Sequence, residues 1–143
     1  MNKTQILFVC TGNSIRSQMA EGFAKAIAGK SYIFRSAGIM PIGVHPDAVA
    51  SMNESGIDIS ESSSDFLDLS LINGTNYIIT LCGAARDRLP YLPRGIKHIH
   101  WDIENPDKVY PSEQARRYGF AAIRDEIETR VKKLLEQIEN GEL

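Results

Sequence analysis

FVCTGNSIRSQMAEG, residues 8–22, runs an apolar segment into a cysteine, then into small polar residues, then into an arginine that opens a helix-forming stretch. Just upstream, QILFVC (residues 5–10) is a short continuous apolar run ending in turn residues, the pattern of a strand buried in a parallel sheet. Downstream, Met19, Phe23, Ala26 and Ile27 recur at helical spacing, and Gly29 supplies a stop. Strand, tight loop and helix in that order put the loop at the carboxyl end of the strand, the edge of an open α/β sheet where ligands bind.

The rest of the chain repeats the alternation. SYIFRSAG (residues 31–38) reads as a second strand, and HPDAVASMNESG (residues 45–56) as a second helix ended by Gly56. ESSSDFLDLSLING (residues 61–74) holds a short helix for which Ser62, Ser63 and Ser64 are candidate caps. NYIITLCG (residues 76–83) is a third strand and KHIHW (residues 97–101) a shorter fourth. Over residues 112–139, Ala115, Tyr118, Ala122, Ile127, Val131, Leu134 and Ile138 fall along one face of a long amphipathic helix. Strands alternating with helices predict a parallel α/β sheet with right-handed crossovers. No internal repeat or linker interrupts the pattern, so residues 1–143 are expected to form one domain.

At 143 residues the chain is long enough to bury a core without disulfides or a structural metal. Its 43% hydrophobic and 24% charged content is that of a soluble protein. A net charge of -2 gives no field for nucleic acid, and the basic clusters RRYGFAAIR and RVKKLL carry interleaved acids, as a solvated helix face does. No run nears the roughly 18 apolar residues that span a bilayer, and MNKTQILFVC leads into a motif, not a cleavage site. The expected location is the cytoplasm, with no membrane partner. Two cysteines make no secretory disulfide framework, so each is considered as a thiol.

Cys10 and Arg16 are separated by five residues, in the order C-T-G-N-S-I-R. The backbone N–H groups of Thr11, Gly12, Asn13, Ser14, Ile15 and Arg16, with a helix N-terminus behind them, form a nest for an anion. Gly12 lets the backbone turn where a side chain would block it. The Arg16 guanidinium is a planar fork matched to a tetrahedral oxyanion. The same surroundings favour the Cys10 thiolate, and Ser17 can donate a hydrogen bond to it. The amides and Arg16 would then hold an oxyanion while the thiolate attacks its central atom. The bland alternative is a buried strand-end cysteine beside an ordinary helix-start arginine; spacing, strand, glycine and helix together favour the oxyanion site.

These residues resemble the low-molecular-weight protein tyrosine phosphatase superfamily and, within it, the arsenate reductases that share its fold. VCTGNSIRSQMAEG is similar to the phosphate loop of both branches, whereas RSQMAEGFAK, SAGI, HPDAV, GIDIS, SSDFLD, TLCG and HWDIENPD resemble the reductases. The likeness runs in order through nearly the whole chain. It implies a flavodoxin-like three-layer sandwich, a four-stranded parallel sheet in the order 2-1-3-4 flanked by helices. It implies that Cys10 is the nucleophile and that Arg16 and the loop amides bind arsenate, phosphate or sulfate. It also implies a potassium site at Asn13, Glu21, Ser36 and Asp65; read from the residues alone, Asn13, Glu21 and Asp65 serve as well to brace the loop by hydrogen bonds.

Cys82 ends the third strand as Cys10 ends the first, LFVCTG against IITLCG. In the implied order those strands are neighbours, about 5 Å apart, so the two thiols can meet. Arsenate reduction uses a second thiol to attack the first sulfur, and the resemblance assigns that role to Cys82; taken alone, Cys82 reads as a buried structural cysteine. Three departures from the family stand out. Leu89 replaces the third cysteine of thioredoxin-coupled members, so thioredoxin or glutaredoxin would act directly on a disulfide of Cys10 and Cys82, or glutathione or another small thiol would resolve the Cys10 adduct. Ile15 stands where many relatives have another cysteine. Asn105 precedes Pro106 where the family has an aspartate as general acid, and a carboxamide donates a hydrogen bond but passes no proton. Asp102, Glu104 or Asp107 could substitute in a shifted loop, or could be surface charges.

Expelling a phenolate depends on that acid, whereas arsenate can carry its own proton. His45, His98 and His100 lack carboxylate or cysteine partners at ligand spacing, so no metal site is expected from them, and His98 and His100 read as packing or surface residues on one strand face. The expected protein is a monomeric arsenate reductase with no tightly bound cofactor. A low-molecular-weight tyrosine phosphatase with a phosphocysteine intermediate and a non-catalytic oxyanion-binding protein are the alternatives.

Overall fold

The computed structural model describes residues 3–143; residues 1 and 2, part of the expected domain and of the N-terminal reading, lie outside the described residues. Strands β1 (Thr4–Cys10), β2 (Tyr32–Gly38), β3 (Tyr77–Thr80) and β4 (Lys97–His100) form one parallel sheet in the order β2-β1-β3-β4. Strand β1 is central because its apolar run can be covered on both faces, and Ile6, Leu7, Phe8 and Val9 are all buried. Its register sets Cys10 opposite Gly38 of β2 and Val9 opposite Thr80 of β3. This is the order and fold expected from the resemblance.

Helices α1 (Arg16–Ala28), α2 (Pro46–Asn53), α3 (Leu69–Ile72), α4 (Gly83–Asp87) and α5 (Glu113–Glu139) flank the sheet. Helix α1 buries Met19, Ala20, Phe23 and Ala24, and packs against α5. The predicted face of α5 holds at Ile127, Val131 and Leu134 but not in its first turns, where Tyr118 is 67% exposed and Ala122 is exposed too. Phe120 and Ile123 are buried instead. The N-terminal part of α5 meets α2 and the loop after β4, not the sheet, and Gly119 lies so close to Tyr110 that a Cβ there would collide with its ring. That contact seats the loop carrying Asn105 and Asp107.

One local expectation changes. Helix α3 is capped by Asp68, whose Oδ1 accepts from Leu71 N at 3.1 Å, and Ser62, Ser63 and Ser64 lie upstream of it. They belong to a segment that extends the edge of β2, where Gly38 N donates to Asp65 O at 2.8 Å and Leu67 N to Gly38 O at 2.9 Å. Among the described residues no helix is long and apolar enough to cross a membrane.

Candidate active site

Cys10 is the last residue of β1 and is 2% exposed. The loop that follows has its carbonyls pinned. Those of Cys10, Thr11, Gly12 and Ser14 accept from the N–H groups of Ile39, Met40, Ile42 and His45 at 3.3, 2.8, 3.1 and 3.0 Å. That of Asn13 accepts from Gln18 Nε2 at 3.1 Å and Ser64 Oγ at 2.5 Å, and that of Ile15 from Met19 N at 2.9 Å. A trans peptide sets its N–H opposite its C=O, so turning these carbonyls to the outside turns the following N–H groups to the centre. The result is a ring of donors around the mouth of Cys10.

Asn13, not Gly12, makes the sharp turn: its φ of 48° is the one positive value among the described non-glycine residues. Asparagine tolerates this left-handed region because its short amide bonds locally. Oδ1 accepts from Asp65 N at 2.8 Å and Nδ2 donates to Ser17 Oγ at 2.7 Å, which fixes the amide's orientation. Ser17 Oγ lies 2.9 Å from Cys10 Sγ. With one lone pair taken by Asn13, the Ser17 hydroxyl keeps its proton for a Cys10 thiolate. Gly12 owes its place to close approach, since a Cβ there would lie 3.0 Å from the Ile42 side chain. The stricter glycine is Gly38, where a Cβ would stand 2.7 Å from both Asn13 N and Thr11 O.

Arg16 opens α1, and its Nη1 donates to Ile103 O at 2.9 Å, tying the loop after β1 to the loop after β4. Ser14 Oγ is buried and has no hydrogen-bond partner. Cys10, Thr11, Arg16, His45, Asn105 and Asp107 all line one cleft of about 250 Å³. Of the proposed acid loop, Asn105 reaches this cleft; its Oδ1 accepts from Asp107 N at 3.0 Å, an Asx turn that shapes the loop. Glu104 instead pairs with Lys108 at 2.6 Å on the exposed side, and Asp102 is exposed outside the lining.

Cys82 lies two residues beyond the end of β3, not at the strand end, and is the N-cap of α4, a five-residue helix too short to show periodicity. Leu81 N donates to Val9 O at 2.9 Å, which brings Cys82 level with Thr11 and not with Cys10. Its Sγ lies 3.2 Å from Thr11 Oγ1 and accepts from Ala85 N at 3.4 Å. Both cysteines are free thiols.

The four residues of the potassium expectation are near one another without forming a cage. Glu21, Ser36 and Asp65 line one cleft, but Glu21 bonds Ser36 with one oxygen and Lys25 Nζ with the other at 2.5 Å. The Asn13 oxygen is taken by Asp65 N. Lys25 already supplies the positive charge, so the set fits loop bracing and does not fit a potassium cage. Among the described residues no cluster of three histidines, cysteines or carboxylates is suited to a metal.

The histidines divide. Thr80 Oγ1 sits between His98 Nε2 at 2.8 Å and His100 Nδ1 at 2.7 Å, and burial, then the charges of His100 and Arg86, lower the His98 pKa. His45, expected to have no carboxylate partner at metal-ligand spacing, lies near two carboxylates, Asp47 of α2 and Asp107 of the loop after β4.

Residues 5–142 match the family model described as low molecular weight phosphotyrosine protein phosphatase. The chain belongs to this family. It is 44% identical over 136 residues to an arsenate reductase of Shouchella clausii, covering 95% of this chain and 98% of that one. Among solved structures of the family, the thioredoxin-dependent arsenate reductase of Corynebacterium glutamicum superposes with a TM-score of 0.81 at 30% identity, over 97% of this chain and 63% of that longer one. An arsenate reductase in the phosphate binding state gives 0.77 at 33% identity, over 94% of this chain and 98% of that one.

Proposed function

We propose that the chain is an arsenate reductase, a single domain over residues 1–143 that works as a cytoplasmic monomer with an external thiol as reductant. Both the family relatives and the loop geometry support this reading. In it the N–H groups of residues 11–16, the Ser14 hydroxyl and the Arg16 guanidinium bind the oxyanion, and Ser17 holds the Cys10 thiolate. The thiolate bonds to arsenic as one arsenic–oxygen bond breaks and that oxygen leaves as water. The Cys82 thiolate then attacks Cys10 Sγ; the sulfur–arsenic electron pair stays on arsenic, which leaves as arsenite, and a disulfide joins Cys10 to Cys82. A dithiol protein of the thioredoxin or glutaredoxin kind returns both thiols, taking the disulfide onto itself. A small thiol such as glutathione could instead resolve the Cys10 adduct.

The observation that carries the reading is the second free thiol at the rim of the anion loop, Cys82 Sγ 3.2 Å from Thr11 Oγ1. A phosphatase reading draws on the same loop and on the family itself, but Asn105 spends its oxygen on Asp107 N and has no proton to give a phenolate. Mass analysis of the reduced protein under non-reducing conditions separates the two. Incubation with arsenate, and not with phosphate, should remove two hydrogens through a Cys10–Cys82 bridge. An unchanged mass, with no arsenite after adding glutathione or thioredoxin, would retire the reductase.

A further inference from the structure

Asn105 has no proton to give, and a departing hydroxyl that carries arsenate's own proton needs a second one to leave as water. The carboxylate nearest by position, Asp107, does line the cleft. It is held as an anion: its carboxyl pKa is lowered, first by the hydrogen bond from Arg116 and also by the charges of His45 and Arg116. Asp107 therefore cannot release a proton in the working range. His45 lines the same cleft, and its backbone N–H is bonded to Ser14 O of the anion loop at 3.0 Å, so ring and loop are held in one register.

Both ring nitrogens of His45 have a carboxylate within 4 Å, Nδ1 that of Asp47 at 3.9 Å and Nε2 that of Asp107 at 3.6 Å. The other charged or titratable groups by the ring are Arg116 of α5 and, across the cleft, Cys10 and Arg16. Arg116 joins the two carboxylates, Nε donating to Asp47 Oδ2 at 2.7 Å and Nη2 to Asp107 Oδ1 at 2.9 Å. The guanidinium lies over the Phe120 ring at 4.9 Å, and the His45 ring packs on Phe120 at 5.9 Å. The site has partners for both protonation states. Neutral His45 accepts from Asp47 N at 3.0 Å through Nδ1 and carries its proton on Nε2; charged His45 can turn Nδ1–H to the carboxylate of the same residue.

We propose that His45, held through Nδ1 at the start of α2, is the proton donor through Nε2 to the leaving oxygen, a role that Asn105 cannot fill. The inference rests on the covalent step of the reductase reading. As the Cys10 thiolate bonds to arsenic, the bond to the departing hydroxyl breaks with its electron pair on oxygen. The proton of the His45 imidazolium converts that hydroxide to water, leaving neutral His45, and arsenic keeps its oxidation state in this step. Inorganic phosphate undergoes the same displacement reversibly without any redox change, so exchange of its oxygens with labelled water reads the step alone.

The test compares wild type with His45→Asn, which keeps an N-cap acceptor for α2 and removes the donor. Phosphate–water exchange and the kcat of arsenate turnover should both fall about 100-fold with KM little changed, a typical loss for a positioned acid. Asn105→Asp in the His45→Asn background should restore exchange. Wild-type exchange that depends on His45, without arsenate turnover, would sink the reductase reading and leave the inference standing. Exchange within threefold of wild type in His45→Asn, or no exchange in wild type, would overturn the inference.

Discussion

The two cysteines follow neighbouring parallel strands, yet their loops are built in opposite ways. After β1 the chain closes a ring whose carbonyls from residue 10 to residue 15 are all bonded, and runs into the thirteen-residue α1. After β3 it takes two residues to reach the five-residue α4, whose first turn is closed by one backbone bond, Arg86 N to Cys82 O at 3.1 Å, and one long sulfur contact from Ala85 N at 3.4 Å. The first loop is fixed around Cys10, as the proposed oxyanion site requires. The second can open its first turn at little cost, as a thiol must if it is to leave Thr11 and reach Cys10. Rigidity around the nucleophile and slack around its partner are what a two-thiol mechanism needs.

Substitutions can break this contrast from either side. Cys10→Ser should abolish both arsenate turnover and phosphate–water exchange, a loss of at least about 10⁴-fold. Cys82→Ser should remove turnover with a thioredoxin-type reductant yet leave exchange within a few-fold of wild type; a parallel loss of exchange would mean that the loops are not separable. Arg16→Lys keeps the charge but loses the fork and the bond to Ile103 O. It should lower kcat/KM about 10²- to 10³-fold in steady-state assays, the usual loss when one oxyanion donor is removed.

How much of this was legible in the sequence follows the same contrast. The β1 loop could be read because an apolar run, a fixed spacing and helical periodicity coincide within residues 5–29. The sheet order came from resemblance and not from pattern, since short parallel strands carry no record of their neighbours. Cys82 was read as a strand end because a five-residue helix has no period to announce it. His45, Asp107 and Arg116 come from three separate segments that meet only in the fold, so no local spacing joins them. Tyr118 and Ala122 fall on the periodic face of α5 because periodicity finds an apolar stripe but not where its partner changes from α1 to α2.

The smallest effects sharpen the contrast as stability. Asn13 is fully buried, adopts φ 48° and bonds through both amide atoms and its carbonyl. Asn13→Ala would leave Asp65 N and Ser17 without their partner and put alanine in a strained conformation, a loss of about 2–4 kcal/mol in denaturant unfolding. At Cys82 the sign turns on the replacement. Serine is a better N-cap acceptor than a thiol, so Cys82→Ser should unfold at the same or slightly higher denaturant concentration than wild type, and Cys82→Ala should lie below Cys82→Ser by about 0.5–1 kcal/mol. A loss above about 2 kcal/mol in Cys82→Ser would show that the sulfur is bound as firmly as the anion loop, and the slack assigned to α4 would have to be sought elsewhere.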